Sequence, residues 1–360
     1  MKIAYLANIR FPSERAHAIQ ITQMCDAFFR LGIDTTLFVN KRTTDKNAEA
    51  CTFKVKRLSH GFFLPSIKIA FYSSELFFAG AFLFRENKKD FDIVYSRHEW
   101  IIWLLGHFIS PSKLVWESHE AKLNFPARRL LKWGIKTVAI SEGIFEDYAK
   151  FGIPKGQMVV AHDGIDESFF KGVEAKSEAR DRLSLSLQEN IVMYIGGFDT
   201  WKGVETFFAA ADLYRGARFV AIGGSAEQVV VFFKKYPKVL FLGQLPYSDL
   251  KDNQQAADVL IIPNSGKTEL SSRHTSPLKL FAHMASGVPI VASDLPSLAT
   301  VTGDKLVALV PADNPEALAK GVLNVFAHYD AKKQLAQELK TVSMRYTWTE
   351  RAKNIVNFIK

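Results

Sequence analysis

Short apolar runs rich in β-branched residues recur along this chain, and stretches of helical periodicity separate them. The clearest example lies at 259–294, where the runs VLIIP and VPIVAS flank the amphipathic stretch PLKLFAHMAS. Ser276 and Pro277 are residue types preferred at a helix N-terminus, and Gly287 is the type preferred just after a helix. The pattern predicts a strand, a polar loop, a helix from Pro277 to Ser286 with Ser276 as its N-cap, and a second, parallel strand.

This unit has the form of a phosphate-binding site. Ligands of a parallel sheet bind beyond the carboxyl ends of its strands, where the loop and the start of the helix lie. The helix start carries about half a positive charge and offers free N–H donors to an anion. A strand–helix–strand unit without any ligand gives the same pattern, so both interpretations stay open at this point.

The alternation of strand and helix continues through the chain in two series. The first runs from the strand KIAYLA at its N-terminal end to about residue 166, and the second begins with the apolar run IVMYIGG at 191–197. A charged, polar segment at 171–189 lies between them and predicts a linker followed by an exposed helix. No sequence repeat relates the two series, which share only their architecture.

With 360 residues, the chain is too long for one ordinary core. We therefore predict an α/β protein with two Rossmann-like domains, each built on a doubly wound parallel sheet. The first domain would span residues 1–170 and the second 171–345.

The amino-acid composition restricts the kinds of molecule that the protein is expected to bind. A hydrophobic content of 48% with 23% charged residues is typical of a soluble globular protein, and the net charge of +9 favours an anionic partner. A nucleotide or anionic lipid head groups fit best, because the chain shows no recognised nucleic-acid motif and no basic tail. Cys25 and Cys51 belong to no CxxC or Cys/His cluster, so we expect neither a disulfide framework nor a structural zinc site.

Two stretches could contact a membrane without crossing it. The aromatic-rich region 62–84 is interrupted by a proline and charged residues, and we predict a helix over 73–84 that is either a core helix or a membrane-docking surface. The basic stretch 126–136 fits either a helix on anionic lipid or a solvated helix face. Because the N-terminus has the pattern of a strand rather than a signal peptide, we expect a cytoplasmic protein. Peripheral contact with the inner face of the plasma membrane stays an open option.

Several polar side chains of the first series follow strands at their carboxyl ends, where a ligand would bind. Arg10, Arg15 and His17 follow the first strand, although a solvated charged loop would explain them equally well. The loop contains no GxGxxG, so the dinucleotide-binding fingerprint is absent. His119 and Glu117 lie at the end of another strand, KLVWES, in the same favourable position.

In the second series, a cationic side chain also follows a strand at its carboxyl end. Its first strand ends in Gly196 and Gly197, where backbone can approach a ligand closely. Lys202 and Gly203 follow at the start of the next helix, an arrangement that suits a cation facing phosphate. A DxD pattern, which binds metal in one class of glycosyltransferase, occurs at 90–92, but it precedes a strand and its carboxylates should point away from the ligand edge. We therefore expect no metal site.

Taken in order, these motifs resemble the glycosyltransferases of the GT-B fold in the large retaining family 4, the glycosyl transferases of group 1. The resemblance rests first on PSERAHAIQITQMCDAFFRLGIDTTLFV, KLVWESHE, AISEGIFEDYAKFGIP and VVAHDGIDESFF. It continues in YIGGFDTWKGVETF, FLGQLPYSDL, AADVLIIP and SPLKLFAHMASGVPIVASDLPS. The final YTWTERAKNIVNFIK is similar to the helix that crosses back in this fold, so residues 346–360 are expected to pack on the first domain. The resemblance covers nearly the whole chain and implies two domains that face a cleft.

The resemblance implies a role for each matching residue. A nucleotide sugar, linked to UDP or GDP, would bind as substrate, with no separate cofactor. Lys202 and the backbone N–H groups of Leu278 and Lys279 would hold its diphosphate, and His119 would face the transferred sugar, so Lys202 and His119 are the expected catalytic residues. The residues expected at the donor are Gly196, Gly197, Lys202, Gly203, Gly243, Leu245, His274, Ser276, Leu278, Lys279 and Ala282. The residues expected at the acceptor are Arg10, Arg15 and His17.

Two features depart from the family pattern. In the family's ExxxxxxxE motif two glutamates contact the donor, and here His274 and Ala282 stand in their places. The arginine that often follows Gly196 and contacts phosphate is replaced by Gly197. A ribose hydroxyl would lose a charge-assisted acceptor, an effect of about 1.5–3 kcal/mol. Glu269, in the preceding loop, could substitute.

The resemblance thus implies a metal-independent, retaining hexosyltransferase. It would move a sugar from a nucleotide sugar to a glycan or lipid-linked acceptor in bacterial surface polysaccharide or lipopolysaccharide biosynthesis. The missing glutamates keep open a non-catalytic protein of the same fold that binds nucleotide or glycan, or that supports a partner glycosyltransferase. A third interpretation, epimerisation of a sugar nucleotide, has no feature of its own in the sequence.

Overall fold

The structure, a computed structural model, describes residues 1–13, 16–41, 51–58 and 68–360. They form two compact units. The first unit comprises Met1–Asp163 together with Trp348–Lys360, and the second comprises Gly164–Thr347. The expected division after residue 170 lies a few residues beyond this boundary.

Strands and helices alternate along both units. The first part of the chain forms β1 (Lys2–Ala7), α1 (Ala16–Arg30), β2 (Asp34–Asn40), β3 (Lys54–Leu58), α2 (Lys68–Arg85), β4 (Ile93–Ser96), α3 (Glu99–Leu105), β5 (Leu114–Ser118), α4 (Phe125–Lys132), β6 (Lys136–Ala139), α5 (Glu142–Lys150) and β7 (Met158–Val160). The second unit forms α6 (Lys176–Arg182), β8 (Ile191–Ile195), α7 (Val204–Leu213), β9 (Arg218–Ile222), α8 (Ala226–Lys235), β10 (Val239–Gly243), α9 (Leu250–Asn253), β11 (Val259–Ile262), α10 (Leu278–Ser286), β12 (Ile290–Ser293), α11 (Pro296–Leu306), β13 (Ala308–Val310), α12 (Pro315–Ala327) and α13 (Tyr329–Ser343). The last helix, α14 (Trp348–Ile359), belongs to the first unit.

Each unit is built on one parallel sheet. The strand order is β3-β2-β1-β4-β5-β6-β7 in the first unit and β10-β9-β8-β11-β12-β13 in the second. Every strand pair within them is parallel. This confirms the predicted pair of Rossmann-like, doubly wound sheets. The strand order reverses between β1 and β4 and between β8 and β11, and such a reversal opens a crevice for ligands at the carboxyl ends.

Burial of both sheet faces explains why the strands read as continuous apolar runs. In β8, Ile191, Met193 and Ile195 join one core cluster, while Val192 and Tyr194 join another on the opposite face. A strand covered on both sides has no polar face, so its sequence does not alternate.

Three local predictions were wrong in detail. The helix after β11 begins at Leu278, with an extended Pro277 (φ −75°, ψ 114°) as its N-cap in place of Ser276. The expected polar loop before it contains a π-helical turn, Leu270–His274. In the linker, α6 is not fully exposed, because the Arg180 guanidinium is buried and contacts Asp258 Oδ2 at 2.7 Å. The predicted end at Gly287 is confirmed by its left-handed backbone, with φ of 73°.

The aromatic helix α2 has both a buried and an exposed side. It is longer than the predicted 73–84, and the more N-terminal part of the aromatic region, 62–67, lies outside the described residues. Phe78 and Phe82 are fully buried, whereas Phe77 is 51% and Phe84 93% exposed. Within the described ranges no helix is both long enough and apolar enough to cross a bilayer.

Candidate functional site

The loops after β8 and β11 meet at the point where the strand order of the second unit reverses. Gly203 (φ 64°) ends the 3₁₀ turn Thr200–Lys202 and precedes α7. A side chain at Gly203 would overlap the carbonyl oxygen of Pro263, which follows β11. Glycine is therefore required both for the left-handed backbone and for the close approach of the two loops. The predicted donor residues after these strands do lie at one sheet edge.

The Lys202 ammonium lies over the Gly196–Gly197 turn. Its Nζ is 2.7 Å from Asp199 Oδ2, and the side chain keeps 24% of its surface exposed. A Cβ placed on Gly197 would come within 2.8 Å of the same nitrogen. The ammonium therefore occupies the space from which an arginine at position 197 would start. This placement offers an anion a partly exposed cation at the end of β8.

Lys279 brings a second cation to the same turn. Its Nζ lies 4.8 Å from the ring centroid of Tyr194, and the Tyr194 hydroxyl donates to the carbonyl oxygen of Gly197 at 2.7 Å. Burial lowers the pKa of Lys279 to about 7, with help from the nearby Lys202 ammonium and against the pull of Asp199. The start of α10, whose first turn holds Lys279, adds backbone N–H donors.

A further buried polar group lies at this edge. Asn264 follows β11 and Pro263, is fully buried, and neither atom of its side-chain amide has a hydrogen-bond partner in the described part of the chain. Buried amides are normally satisfied, so an unpaired one beside these loops is a candidate ligand contact. Sequence reasoning missed Asn264, although its position directly after a buried strand was a usable signal.

In the first unit, Glu117 is the centre of a buried polar network at the end of β5. Gln20 Nε2 lies 2.5 Å and His119 Nε2 2.6 Å from Oε1 of its carboxylate. The Tyr95 hydroxyl donates to Oε2, and a guanidinium nitrogen of Arg351 lies 3.2 Å from that oxygen. Glu117 is fully buried and Arg351 is 5% exposed. Four side chains, from two helices, one strand and a loop, therefore converge on one carboxylate.

The charges of this network decide the protonation state of His119. Burial alone would raise the pKa of Glu117, but the Arg351 guanidinium and the hydrogen bond from His119 hold it well below its usual range. Burial, with the charge of Arg97, lowers the pKa of His119 to about 4. At neutral pH the imidazole is therefore uncharged. Its Nε2–H donates to Glu117, which leaves Nδ1 as an acceptor for a hydroxyl group.

Comparison with known proteins connects part of the second unit with a family. The family model described as Glycosyl transferases group 1 matches residues 189–328. Over these residues the chain is similar to the group 1 glycosyl transferases. An uncharacterized glycosyltransferase of Methanocaldococcus jannaschii is 25% identical over 239 residues, 62% of this chain and 60% of the relative. The chain thus spans well under two thirds of that relative's length.

Solved structures show the same fold. Sucrose-phosphate synthase of Thermosynechococcus elongatus superposes with a TM-score of 0.81 at 20% identity, over 99% of this chain and 97% of the other. HepE of Anabaena, in complex with UDP-glucose, superposes with a TM-score of 0.75 at 14% identity, over 99% and 98% of the two chains. At these identities the likeness establishes the GT-B fold and no more.

The remaining donor residues predicted for a group 1 glycosyl transferase lie in different surroundings. Gly243 (φ 71°) ends β10, and Leu245 follows it, partly buried against the core. His274 and Ser276 are 5% and 6% exposed, in the segment that leads into α10. Ala282 is 1% exposed and packs inside the core cluster. Their roles at the donor stay predictions.

Two of the three predicted acceptor residues lie within the described part of the chain. Arg10 is exposed in the loop after β1, and His17 is half-buried in the first turn of α1. Arg15 lies outside the described residues. Their role at the acceptor stays a prediction.

Sequence reasoning also missed most of the network around Glu117. Arg351 had a signal, because in the final helix it falls on the same face as Trp348, Ile355 and Ile359, all buried. An arginine within an apolar stripe usually has a buried partner. Gln20 and Tyr95 had no such signal, since a polar residue at the buried edge of an apolar stretch is common.

The depressed pKa of His119 predicts a pH dependence of stability. In the unfolded chain His119 has the ordinary histidine pKa of about 6.5, whereas in the folded protein its pKa is about 4. The stabilising contribution is present above pH 6.5 and is lost as the pH falls toward 4. Relative to His119→Gln, the wild-type free energy of unfolding should fall by about 2 kcal/mol over this window. Urea unfolding at pH 7.5 and pH 4.5 measures it.

The comparison with His119→Gln is essential, because another group works in the opposite direction. Burial raises the pKa of Asp163 to about 6, so Asp163 favours the folded state as the pH falls from 6 toward 4. That contribution is common to both proteins and cancels in their difference. A difference that stays constant between the two pH values would contradict the assignment of a neutral His119.

Proposed function

We propose that the protein is a glycosyltransferase that moves a hexosyl group, with retention, from a UDP- or GDP-linked sugar to a glycan or lipid-linked acceptor. The observation that carries this proposal is the Lys202 ammonium over the Gly196–Gly197 turn, to which Tyr194 also connects Lys279 in the first turn of α10. A cation, free N–H donors and glycine backbone at a strand-order reversal are what a nucleotide diphosphate requires. The match of residues 189–328 to the group 1 glycosyl transferases supports the reaction class.

In the proposed transfer reaction, negative charge develops on the leaving diphosphate. As the bond between the anomeric carbon and the diphosphate oxygen breaks, negative charge grows on the diphosphate, and Lys202 with the α10 start stabilises it. The new bond joins the acceptor oxygen to the anomeric carbon on the same face of the sugar. The acceptor's proton passes to the leaving phosphate. The neutral His119 is assigned the contact with a sugar hydroxyl.

These residues supply positive charge of the kind that a divalent cation supplies in metal-dependent transferases. Metal independence is accordingly part of the proposal. A UDP-linked donor is supported by analogy with HepE, whose structure contains UDP-glucose. Synthesis of a bacterial surface polysaccharide or lipopolysaccharide at the inner face of the plasma membrane is supported by the net charge of +9.

An aromatic strip across α2, α3 and α4 supports the membrane contact. Ring centroids are 5.3 Å apart between Tyr72 and Trp100, 5.8 Å between Trp100 and Trp103, and 5.6 Å between Trp103 and Phe125. Phe125 is 55% exposed, and the Arg129 guanidinium lies over its ring at 5.8 Å. Exposed aromatic rings beside basic groups fit the interface of an anionic bilayer.

Phe125→Ser should weaken binding to vesicles that contain phosphatidylglycerol by about tenfold, because burying a phenylalanine contributes about 1.5–3 kcal/mol. Co-sedimentation with vesicles measures it. Phe151→Ser is the control, since Phe151 is 62% exposed at the end of α5 in the same unit. Equal effects of the two substitutions would contradict a role for the aromatic strip.

The experiment that tests the proposed function is a panel of UDP, GDP, ADP and their sugar conjugates. Each is added to the protein in a thermal-unfolding assay, followed by a donor-hydrolysis assay with whichever conjugate stabilises the fold. A ligand at 100 times its dissociation constant should add about 2.7 kcal/mol to the stability. Failure of every compound at millimolar concentration would overturn the transferase proposal.

A second candidate function is favoured by the altered family motif. Ala282 and His274 stand where the two glutamates are expected, and both are buried. A protein that binds a nucleotide or glycan without transferring sugar would need neither carboxylate. Stabilisation by a nucleotide sugar without hydrolysis or transfer, in the presence of candidate acceptors, would select this alternative.

A further inference from the structure

The ammonium nitrogen of the half-buried Lys279 is shielded from solvent and has no hydrogen-bond partner among the described residues. The Lys279 Nζ contacts the Tyr194 ring, 4.8 Å from its centroid. Burying a charge without a paired group costs stability, so an unpaired buried ammonium points to an anionic ligand.

The groups around Lys279 do not neutralise it. Lys202 opposes its charge, and Asp199, the one carboxylate that favours it, already pairs with Lys202 at 2.7 Å. His283, one turn later in α10, donates to Gln254, and burial together with Lys279 lowers its pKa to about 3. The Tyr194 hydroxyl is held neutral by burial, which raises its pKa well above the usual value. Two lysines therefore share one carboxylate.

Lys202 and Lys279 are both connected to the Gly196–Gly197 turn. Lys202 lies against Gly197, and Tyr194 connects that turn to Lys279 through its hydroxyl and its ring. Two ammonium groups thus flank one turn of glycine backbone. The nine-residue helix α10 begins beside them and presents its N–H groups. An anion with two phosphate groups would satisfy both cations and the helix start.

We infer that the Lys279 side chain is a second cationic ligand of the donor diphosphate, and that Lys279 takes up a proton from solvent when the diphosphate binds. The inference rests on the proposed function and extends it. The family resemblance assigns only the backbone of Lys279 to the diphosphate, whereas the structure assigns its side chain. It also gives a physical reason why glycine at position 197 is tolerated, because Lys202 and Lys279 supply the charge there.

Isothermal titration with UDP at pH 8 tests the proton uptake directly. Free Lys279, with a pKa of about 7, is mostly neutral at pH 8 and should become charged in the complex. UDP itself has already lost its protons at this pH, since the second ionisation of a phosphate lies near 6. Titrations in two buffers of different ionisation enthalpy should show uptake of nearly one proton. Between pH 8 and pH 9 the affinity should fall about tenfold.

The Lys279→Met variant provides a second test of the inference. Methionine keeps the length and apolar stem and needs no hydrogen-bond partner, so the fold should survive. UDP binding should weaken by roughly ten- to a hundredfold, as expected for a lost hydrogen bond to a charged group. The proton uptake should vanish. Lys238→Met is the matched control, because Lys238 is exposed and pairs with Asp212 at the surface.

The outcomes separate the inference from the proposed function. Inorganic pyrophosphate should compete with UDP in the wild type and much less in Lys279→Met, which assigns the loss to the diphosphate. If UDP or GDP binds wild type and Lys279→Met equally, without proton uptake, the inference is wrong and the proposed function stands. If neither nucleotide binds the wild type, both are wrong.

Discussion

Arg351→Met is expected to lower the free energy of unfolding of the first unit by about 3–5 kcal/mol. The substitution leaves the fully buried Glu117 carboxylate without the guanidinium that lies 3.2 Å from its Oε2. It also removes the Nε–H that donates to the carbonyl oxygen of His162 at 2.7 Å. Three donors to Glu117 remain, so the loss should fall toward the lower end of the range.

Urea unfolding followed by tryptophan fluorescence measures this effect well, because five of the six tryptophans lie in the first unit. Lys353→Met is the control on the same helix. Lys353 is exposed and pairs with Glu350 at 2.6 Å, a surface pair that contributes at most about 1 kcal/mol. Adding Glu117→Gln to Arg351→Met should recover part of the stability, since it removes the orphaned charge. Equal losses in Arg351→Met and Lys353→Met would contradict a stabilising buried pair.

The fold could be predicted because its strands are buried on both faces. A strand such as β8 then appears in the sequence as an unbroken apolar run, and the alternation with helices implies a parallel sheet. Helix starts were harder to predict. Ser276-Pro277 has the chemistry of a cap and a first turn, yet Pro277 stays extended, so the helix begins one residue later than expected. A single ψ angle separates the two outcomes, and sequence does not determine it.

The candidate site could be predicted only for residues whose position in the chain, directly after a strand, indicates where they lie in the fold. Lys202 and His119 were selected because each follows a strand at its carboxyl end, and their catalytic roles stay predictions. The pairing of Glu117 with Arg351 could not be found, because it joins a strand and a helix that are far apart in the chain. The burial of Lys279 was equally hidden, since a lysine in the first turn of a helix is normally exposed. Side-chain burial depends on tertiary packing.

The altered motif and the lysine pair together suggest which part of the donor contributes most to binding. If the chain binds its donor as the family does, the buried Ala282 and His274 stand where the family has carboxylates, and the sugar and ribose would lack charged partners. The diphosphate, by contrast, would face the two cations Lys202 and Lys279. Binding in this protein should therefore depend more on the diphosphate than on the sugar, and UDP should bind nearly as well as a UDP-sugar.

Lys202→Ala is expected to reduce kcat for donor hydrolysis or transfer by about 10²–10³-fold, the effect of removing one preorganised charge from a developing anion. The lysine contacts a diphosphate whose charge grows as the glycosidic bond breaks, so the loss should appear mainly in kcat and only modestly in KM. Stability should change little, because the Lys202–Asp199 pair is partly exposed and such pairs contribute about 0–1 kcal/mol. Steady-state kinetics and a thermal melt measure the two quantities.

Lys238→Ala is the matched control, since Lys238 is an exposed lysine of the same unit paired with Asp212 at 2.9 Å. Lys202→Arg should retain a substantial part of the activity, because the positive charge stays at the turn, although the planar guanidinium lacks the compact shape of an ammonium. A Lys202→Ala protein with wild-type kcat would show that the charge over the Gly196–Gly197 turn does not act on the leaving diphosphate. A variant that loses nucleotide binding entirely, with Lys279 intact, would instead make Lys202 the dominant ground-state ligand and leave Lys279 a minor one.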